Sequence, residues 1–492
     1  MSYGRTETRT RRLSSFFAIA TVTVLVLPAG PSAIAADPRP NILLVLTDDH
    51  SVPHIGCYGN ADVRTPHLDR FATRGMRFDR MYVTAPQCVP ARATIMTGQS
   101  SVKIGMTRFS APLARDVLTF PELLRDAGYR TGLVGRTYHL DGHDVIASKE
   151  TKRVFSEHDL VTFPDRVDFV RIAQGGVGHV DQMAEFLDGT TADRPWFLQL
   201  SFDDPHRPLS VDAIDEPHDP REINLPTFMP DTDAVRADLA RYYDEVARFD
   251  ADFGRAMRLL ADRGLDGTTC VIFMGDNGAA LLRGKGTLYE LGLHVPMLVC
   301  WEGVVTAGSH AADLISSEDI APTLLEIAGV SAADGMDGVS FASLLRGKKF
   351  YGRKSLCAAR GAHGYNLPLN TADFDLSRCV VTDRYKLIYN PLWRLPYTPV
   401  DMFGLDLWHE LERLHESGKL SPLHSRIYFA NERPIFELYD LRDDPDELEN
   451  LISSPKHASI EHELKATLHE WMILQNDFVP LPIPDLNPFL KR

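Results

Sequence analysis

Four short runs of aliphatic and aromatic residues lack any alternation of polar and apolar positions: 41–46 (NILLVL), 131–134, 196–200 and 270–274. A strand that is apolar at nearly every position is one covered on both faces, as in a parallel sheet layered between helices. Between the runs, apolar residues recur at helical spacing over 65–74, 120–127 and 239–260, the last long enough for roughly six turns. This alternation predicts an α/β fold with a large, mostly parallel central sheet flanked by helices. After about residue 350 the pattern changes. Residues 378–390 read as a hairpin turning near Thr382, Asp383 and Arg384; 436–441 read as another strand and 461–475 as a helix. Strands in succession followed by a helix predict a smaller C-terminal α+β subdomain. The stretch around Pro368 and segment 391–402, with Pro391, Pro396 and Pro399, read as loops. The expected organisation is a catalytic α/β domain at 37–350 and the α+β subdomain at 351–492.

The first 36 residues stand apart. Arg5, Arg9, Arg11 and Arg12 precede an apolar run over 16–27, and a small-residue stretch ends in Ala33-Ile34-Ala35. These are the three parts of a secretory signal peptide. An apolar run of about 12 residues is short for a bilayer span, so an uncleaved anchor is the weaker alternative and no stable membrane insertion is expected. Arg11-Arg12 leaves the twin-arginine and general export routes both open. The predicted location is periplasmic or secreted, with the export machinery as a partner.

Composition narrows the class. Hydrophobic residues make up 44% and charged residues 24%, which excludes a disordered chain, a collagen-like repeat and a multi-span membrane protein. The net charge of −15 argues against a general nucleic-acid binder. An anionic ligand would therefore need a locally positive site. The six cysteines, at 57, 88, 270, 300, 357 and 379, are too few for a disulfide scaffold and are not spaced like a zinc knuckle.

Ligands of open α/β sheets bind beyond the carboxyl ends of the strands, so the residues just past each run carry the chemistry. After 41–46 come Thr47-Asp48-Asp49-His50, and after 270–274 come Gly275-Asp276-Asn277-Gly278. After 196–200 the chain continues to Asp203, Asp204 and His206, and after 131–134 to Gly135, Arg136 and His139. Either Asp48-Asp49 or Asp276-Asn277-Gly278 alone reads as an ordinary polar turn. Three aspartates and an asparagine converging on one rim would repel each other without a cation, and their oxygens suit Ca²⁺ or Mg²⁺ better than zinc. His50, His54 and His67 read equally well as pocket lining or as solvated, capping residues. Asp203 and Asp204 are candidates for orienting His206.

Segment 88–97 is sharper. Pro90 suits the first turn of a helix, placing Cys88 at its N-terminus, where a thiol pKa falls and anions are attracted. Arg92 would point to the same place.

Cys88-x-Pro90-x-Arg92 followed by Ala-Thr-Ile-Met-Thr-Gly98 resembles the signature of the formylglycine-dependent sulfatases, type I sulfatases of the alkaline-phosphatase-like superfamily. Segments 41–49, 56–59 and 65–69 resemble the family's opening, 284–290 its central lysine motif, 319–325 the helix after it, and 437–441 with Asp444, Asn450 and Leu451 its C-terminal signature. The resemblance implies that Cys88 is oxidised to Cα-formylglycine by a formylglycine-generating maturation enzyme. It implies that Asp48, Asp49, Asp276 and Asn277, with the modified Cys88, bind a metal, usually Ca²⁺. One hydroxyl of the hydrated aldehyde would attack sulfur and the other would later expel sulfate, which a serine could not do. Arg92 would steady that hydroxyl, Lys285 and His206 would face the sulfate and the leaving oxygen, and His139 would take the proton that expels sulfate. The family's lysine after the strand-end glycine is Arg136 here, with His139 three residues on.

The resemblance implies a sulfate-ester or N-sulfate hydrolase acting on sulfated carbohydrate such as a polysaccharide or glycosaminoglycan. The alternative is a phosphonate monoester or phosphodiester hydrolase of the same superfamily. The stretch Asp204-Pro-His206-Arg207-Pro leans toward the sulfamidase and iduronate-sulfatase side.

Overall fold

The computed structural model describes residues 39–141, 148–172, 178–364 and 369–481. The predicted leader at 1–36 and Pro368 lie outside them. In chain order the strands are β1 (Asn41–Thr47), β2 (Met76–Phe78), β3 (Met81–Tyr82), β4 (Arg130–Gly135), β5 (Phe169–Ile172), β6 (Trp196–Ser201), β7 (Thr269–Gly275), β8 (Met297–Cys300), β9 (Ser309–Ala311) and β10 (Ile315–Ser316). The C-terminal part adds β11 (Ser355–Ala359), β12 (Arg378–Thr382), β13 (Tyr385–Tyr389) and β14 (Phe436–Asp440).

Side chains of β1 alternate between two separate cores. Ile42, Leu44 and Leu46 enter one with Phe120, Leu124 and Ile320; Leu43 and Val45 enter the other with Phe249, Phe253 and Leu260. β7 divides the same way, with Ile272 and Met274 on one face and Val271 and Phe273 on the other. Both faces are dry, which is why no polar position interrupts either run.

The main sheet has eight strands in the order β5-β4-β6-β1-β7-β8-β2-β9. From β5 to β7 every pairing is parallel, and β8 runs antiparallel to both its neighbours. Val45 lies opposite Leu200 on β6 and Phe273 on β7, so the strands end level and the residues beyond them share one rim.

The helix read at 239–260 spans Asp233–Asp262. Its first six residues, Asp233–Asp238, carry Val235 as their one large apolar side chain, too few to show a period, but Thr232 caps the helix by accepting from the Val235 amide. The C-terminal sheet β11-β12-β13-β14 is wholly antiparallel. The helix Ala458–Leu474 covers it with Leu464, Leu468 and Met472, four residues apart on one face. Buried Arg378 of β12 meets Asp477, just past that helix, at 2.6 Å.

One residue of the acidic run 442–449 turns inward. Glu447 is buried and 2.9 Å from Lys386 of β13, whose ammonium also meets Glu290 at 2.7 Å. A buried lysine needs carboxylate partners, and the turn supplies one. Among the described residues, no helix is long and apolar enough to cross a membrane.

Candidate active site

Four strand ends build the site. β1 runs into Asp48 and Asp49, and Asp49 adopts a left-handed backbone with φ of 67°. That costly conformation is pinned from two sides. The Tyr242 hydroxyl donates to the Asp49 carbonyl at 2.7 Å, and the Asp49 amide donates to Asp276 Oδ1 at 3.1 Å. β4 ends at Gly135, with φ of 90°, where a Cβ would sit 1.9 Å from the Ser201 carbonyl oxygen. Only glycine lets β4 and β6 end this close, which sends Arg136 and Asp203 toward the same centre.

The helix Cys88–Thr97 begins at Cys88 itself, and all ten of its residues are buried. Cys88 Sγ lies 3.3 Å from Asp48 Oδ1 and 3.9 Å from Asp49 Oδ1. Arg92, one helical turn on, donates through Nε to Asp276 at 2.8 Å and through Nη2 to Asp48 at 3.1 Å. The Arg136 guanidinium pairs with Asp48 at 2.7 Å and Asp203 at 3.4 Å and lies 3.3 Å from the His206 ring. Lys285 Nζ sits 2.9 Å from Asp49 and 2.8 Å from Asp401. His139 Nδ1 is 3.3 Å from Arg136 Nε, and His206 Nε2 is 3.7 Å from Asp49. Every residue that the resemblance assigns to the site is therefore in one cluster.

The electrostatics arise from burial opposed by neighbours. Burial pushes Asp49 up from the carboxylate range, reinforced by Asp48, Asp401 and Asp276, and it pushes Asp276 up as well. Burial acts on Asp48 too, but Arg136, His206, Arg92 and His139 outweigh it and hold that carboxylate low. Burial opposes the charge of Lys285, yet Asp401 and Asp49 keep it firmly protonated. His206 is pushed down to about 3 by burial and by Arg136 and Lys285, and His139 falls well below its usual value through burial and Arg136. Both imidazoles are neutral at pH 7.

The Cys88 thiol reverses one expectation. A helix N-terminus should lower its pKa, but full burial and the adjacent Asp48 and Asp49 raise it well above the ordinary value. A partial helix charge does not outweigh two carboxylates at contact distance.

Asp48, Asp49, Cys88 and His206 offer ligand atoms that all lie within 4.8 Å of one another. Asn277 donates to Asp49 Oδ1 at 2.8 Å, while its own Oδ1 is buried with no partner. Three buried carboxylates and an orphaned amide oxygen are hard donors and fit a cation such as Ca²⁺ or Mg²⁺.

Other expectations change. His50 and His54 are buried against Phe249, Phe273, Tyr242 and Tyr243, so they are core residues, neither solvated nor capping. His67 is half-buried at the start of the helix Pro66–Arg74, its amide donating to Asp250. Asp203 holds Arg136 and lies 3.3 Å from His179, and Asp204 pairs with Arg248 at 2.6 Å. The Nδ1 of His206 instead meets the Arg207 carbonyl.

Asp401, His363 and Phe109 went unread in the sequence. Asp401 bonds His363 at 3.3 Å as well as Lys285, and the Phe109 ring packs edge-on against both His139 and His363. Two of them come from the C-terminal part, in loops without periodicity. The segment Gly361–Ala362 is tied to the start of the Cys88 helix by Gln87, which donates to the Ala362 carbonyl at 2.8 Å and accepts from the Gly361 amide at 3.3 Å.

Comparison with known proteins decides the family. Residues 40–330 match the Sulfatase family model. The chain belongs to the sulfatase family. Residues 281–395 of this sulfatase also match the model for the C-terminal part of N-sulphoglucosamine sulphohydrolase. The sulfatase is 28% identical over 476 residues to an ulvan-active sulfatase of Formosa agariphila, covering 91% of this chain and 77% of that protein. It is 27% identical over 475 residues to human N-sulphoglucosamine sulphohydrolase, covering 89% and 90%. Among solved structures, one described as bound to its substrate D-glucosamine-2-N,6-O-disulfate superposes with a TM-score of 0.66 at 20% identity, covering 90% and 99%. A phosphonate monoester hydrolase of Silicibacter pomeroyi gives 0.67 at 18%, covering 89% and 96%. These two show the shared alkaline-phosphatase-like fold. The sulfatase is thus a sulfuric ester hydrolase.

Proposed function

We propose that this sulfatase is exported and removes sulfate from carbohydrate, using a formylglycine made from Cys88 and a bound Ca²⁺. The carrying observation is the placement of Cys88 Sγ 3.3 Å from Asp48, within a ring formed by Arg92, Arg136 and Lys285. The division into a catalytic unit at 37–350 and a smaller unit at 351–492 belongs to the same reading, with the second unit lending Asp401 and His363 to the site.

Asp48, Asp49, Asp276 and Asn277 would hold the metal, which would supply positive charge against the sulfate oxygens. Formylglycine would supply a hydroxyl nucleophile at position 88. Arg92, fixed by two carboxylates, holds that side chain in place. Lys285 is the charged group facing the sulfate, and His206, whose Nε2 lies 3.3 Å from Arg136 and 3.7 Å from Asp49, is the second group placed to face the leaving oxygen. His139, which is neutral, is in the state that accepts a proton. Arg136 adds a second cation, and its planar fork reaches Asp48 and Asp203 together.

Relatives named for ulvan and for N-sulphoglucosamine support a sulfated saccharide substrate, and the match over 281–395 supports the N-sulfate side. Two measurements test the reading. The peptide spanning residues 81–92 of active protein should be lighter than the thiol form by the exchange of H₂S for oxygen; full activity with only the thiol present would overturn the mechanism. Chelation should abolish turnover and Ca²⁺ should restore it. Faster cleavage of an aryl phosphodiester than of an aryl sulfate would favour the phosphonate-hydrolase alternative, and defined N- and O-sulfated disaccharides decide the bond.

A further inference from the structure

His206 sits on a segment with no regular structure of its own. From β6 the chain runs over 202–232 without strand or helix before the helix Asp233–Asp262 begins. No ladder of backbone hydrogen bonds holds the ring in place, so side chains have to.

Two ion pairs tie this segment to the helix, one on each side of His206. Before it, Asp204 accepts from Arg248 through Nε at 2.8 Å and Nη2 at 2.6 Å. After it, Arg207 meets Asp238 fork to fork: Nη1 donates to Oδ1 at 2.8 Å, and Nη2 donates to Oδ2. The side chains of Arg207 and Asp238 are only 9% and 13% exposed, and a bidentate pair so enclosed holds one geometry. The third guanidinium nitrogen, Nε, donates to the Ala280 carbonyl at 2.9 Å. Ala280 lies between Asn277 and Lys285, and its neighbour Ala279 accepts from the Lys285 amide at 2.7 Å. One guanidinium thus joins the arm of His206, the long helix and the loop of Lys285. With all three nitrogens engaged inside the protein, Arg207 is not itself a sulfate ligand.

Arg207 reaches the His206 ring through its backbone. His206 Nδ1 meets the Arg207 carbonyl, and a carbonyl can only accept, so Nδ1 carries a hydrogen. The other ring nitrogen, Nε2, then faces the centre, where Arg136 and Asp49 lie. Whatever fixes the Arg207 carbonyl also aims Nε2.

We infer that Arg207 and Asp238 are a positioning pair for the reaction. Asp238 fixes the guanidinium, and Arg207 through its carbonyl fixes the direction of His206 Nε2. The inference rests on the proposed place of His206 beside the sulfate.

The test is a double-mutant cycle on the whole matured protein with Ca²⁺ present, reading kcat and KM for 4-nitrophenyl sulfate. H206A removes the group through which the pair acts and should lower kcat about tenfold or more. D238N removes the charge with little change of shape. It should lower kcat about tenfold and change KM less than about threefold, since a misaimed group beside the reacting atoms costs rate. In the H206A background the same substitution should cost less than about twofold, because no ring is left to aim. R207K keeps the charge but cannot span Asp238 and the Ala280 carbonyl together; it should show the same pattern, and it decides the matter if D238N does not fold. Loss of folded protein lowers both backgrounds alike and so cannot imitate this result. Equal losses in the two backgrounds, or kcat unchanged in a folded D238N, overturn the inference. Full activity in H206A is a separate failure: it removes His206 from the reaction, and the positioning role falls with it.

Discussion

Asp401 is placed to matter out of proportion to its visibility in the sequence. Lys285 is shared between Asp49 and Asp401, and a cation held by Asp49 would leave Asp401 as the residue that fixes the ammonium. D401N is expected to lower kcat on an aryl sulfate roughly tenfold or more while changing KM less, since a positioning contact acts where charge develops. Steady-state kinetics check it; equal kcat would remove Asp401 from the site. A second residue effect is pH-dependent. His54 and His50 are pushed down to about 3 and about 4 by burial, whereas in the unfolded chain they titrate near 6.5. Below pH 6.5 the unfolded state takes up protons that the folded state refuses, so stability is full above 6.5 and falls as pH drops toward 4. His54 has no hydrogen-bond partner on either nitrogen and packs between Tyr242 and Tyr243, so phenylalanine can replace it without leaving a group unmatched. H54F should match the parent at pH 7.5 and be more stable at pH 5 by about 1.4 kcal/mol per pH unit below 6.5, read from urea midpoints.

At the level of elements, sequence and structure agree where a run is dry on both sides. β1 and β7 were legible because each feeds two cores, and Asp48, Asp49, Asp276 and Asn277 were legible because they come directly after such strands. The start of the Asp233–Asp262 helix was hidden because its first six residues carry one large apolar side chain, Val235, too few to show a period. Asp401 and His363 were hidden because a proline-rich loop carries no period and their partners are remote in sequence. The direction of the Cys88 shift was likewise unreadable, since the carboxylates that set it arrive from β1, some 40 residues upstream. The C-terminal sheet offers an element-level test. Arg378 and Asp477 form a pair buried at 1% and 0% exposure that ties β12 to the end of the final helix. R378A leaves the carboxylate alone in the interior and should cost about 3–5 kcal/mol by denaturant unfolding.

Across the whole molecule, the charge of −15 describes the surface and misdescribes the centre, where Arg92, Arg136 and Lys285 gather around the aspartates. The two sheets are coupled by buried ionic contacts: Lys386 of β13 meets Glu290 just past the Lys285 loop, and Asp401 meets Lys285 itself. Calorimetry of the metal-free protein should therefore show one transition spanning both sheets, and a resolved low-temperature transition confined to 351–481 would contradict that coupling.

The Gln87 clamp sets an order of events in the life of the chain. Cys88 is fully enclosed, its helix start is sealed by Gly361 and Ala362, and the sealing segment is synthesised some 270 residues later. An enzyme that oxidised Cys88 as proposed would have to reach it before that segment docks. The proposed oxidation of Cys88 would then compete with folding in time, and a chain that closed first would keep the thiol.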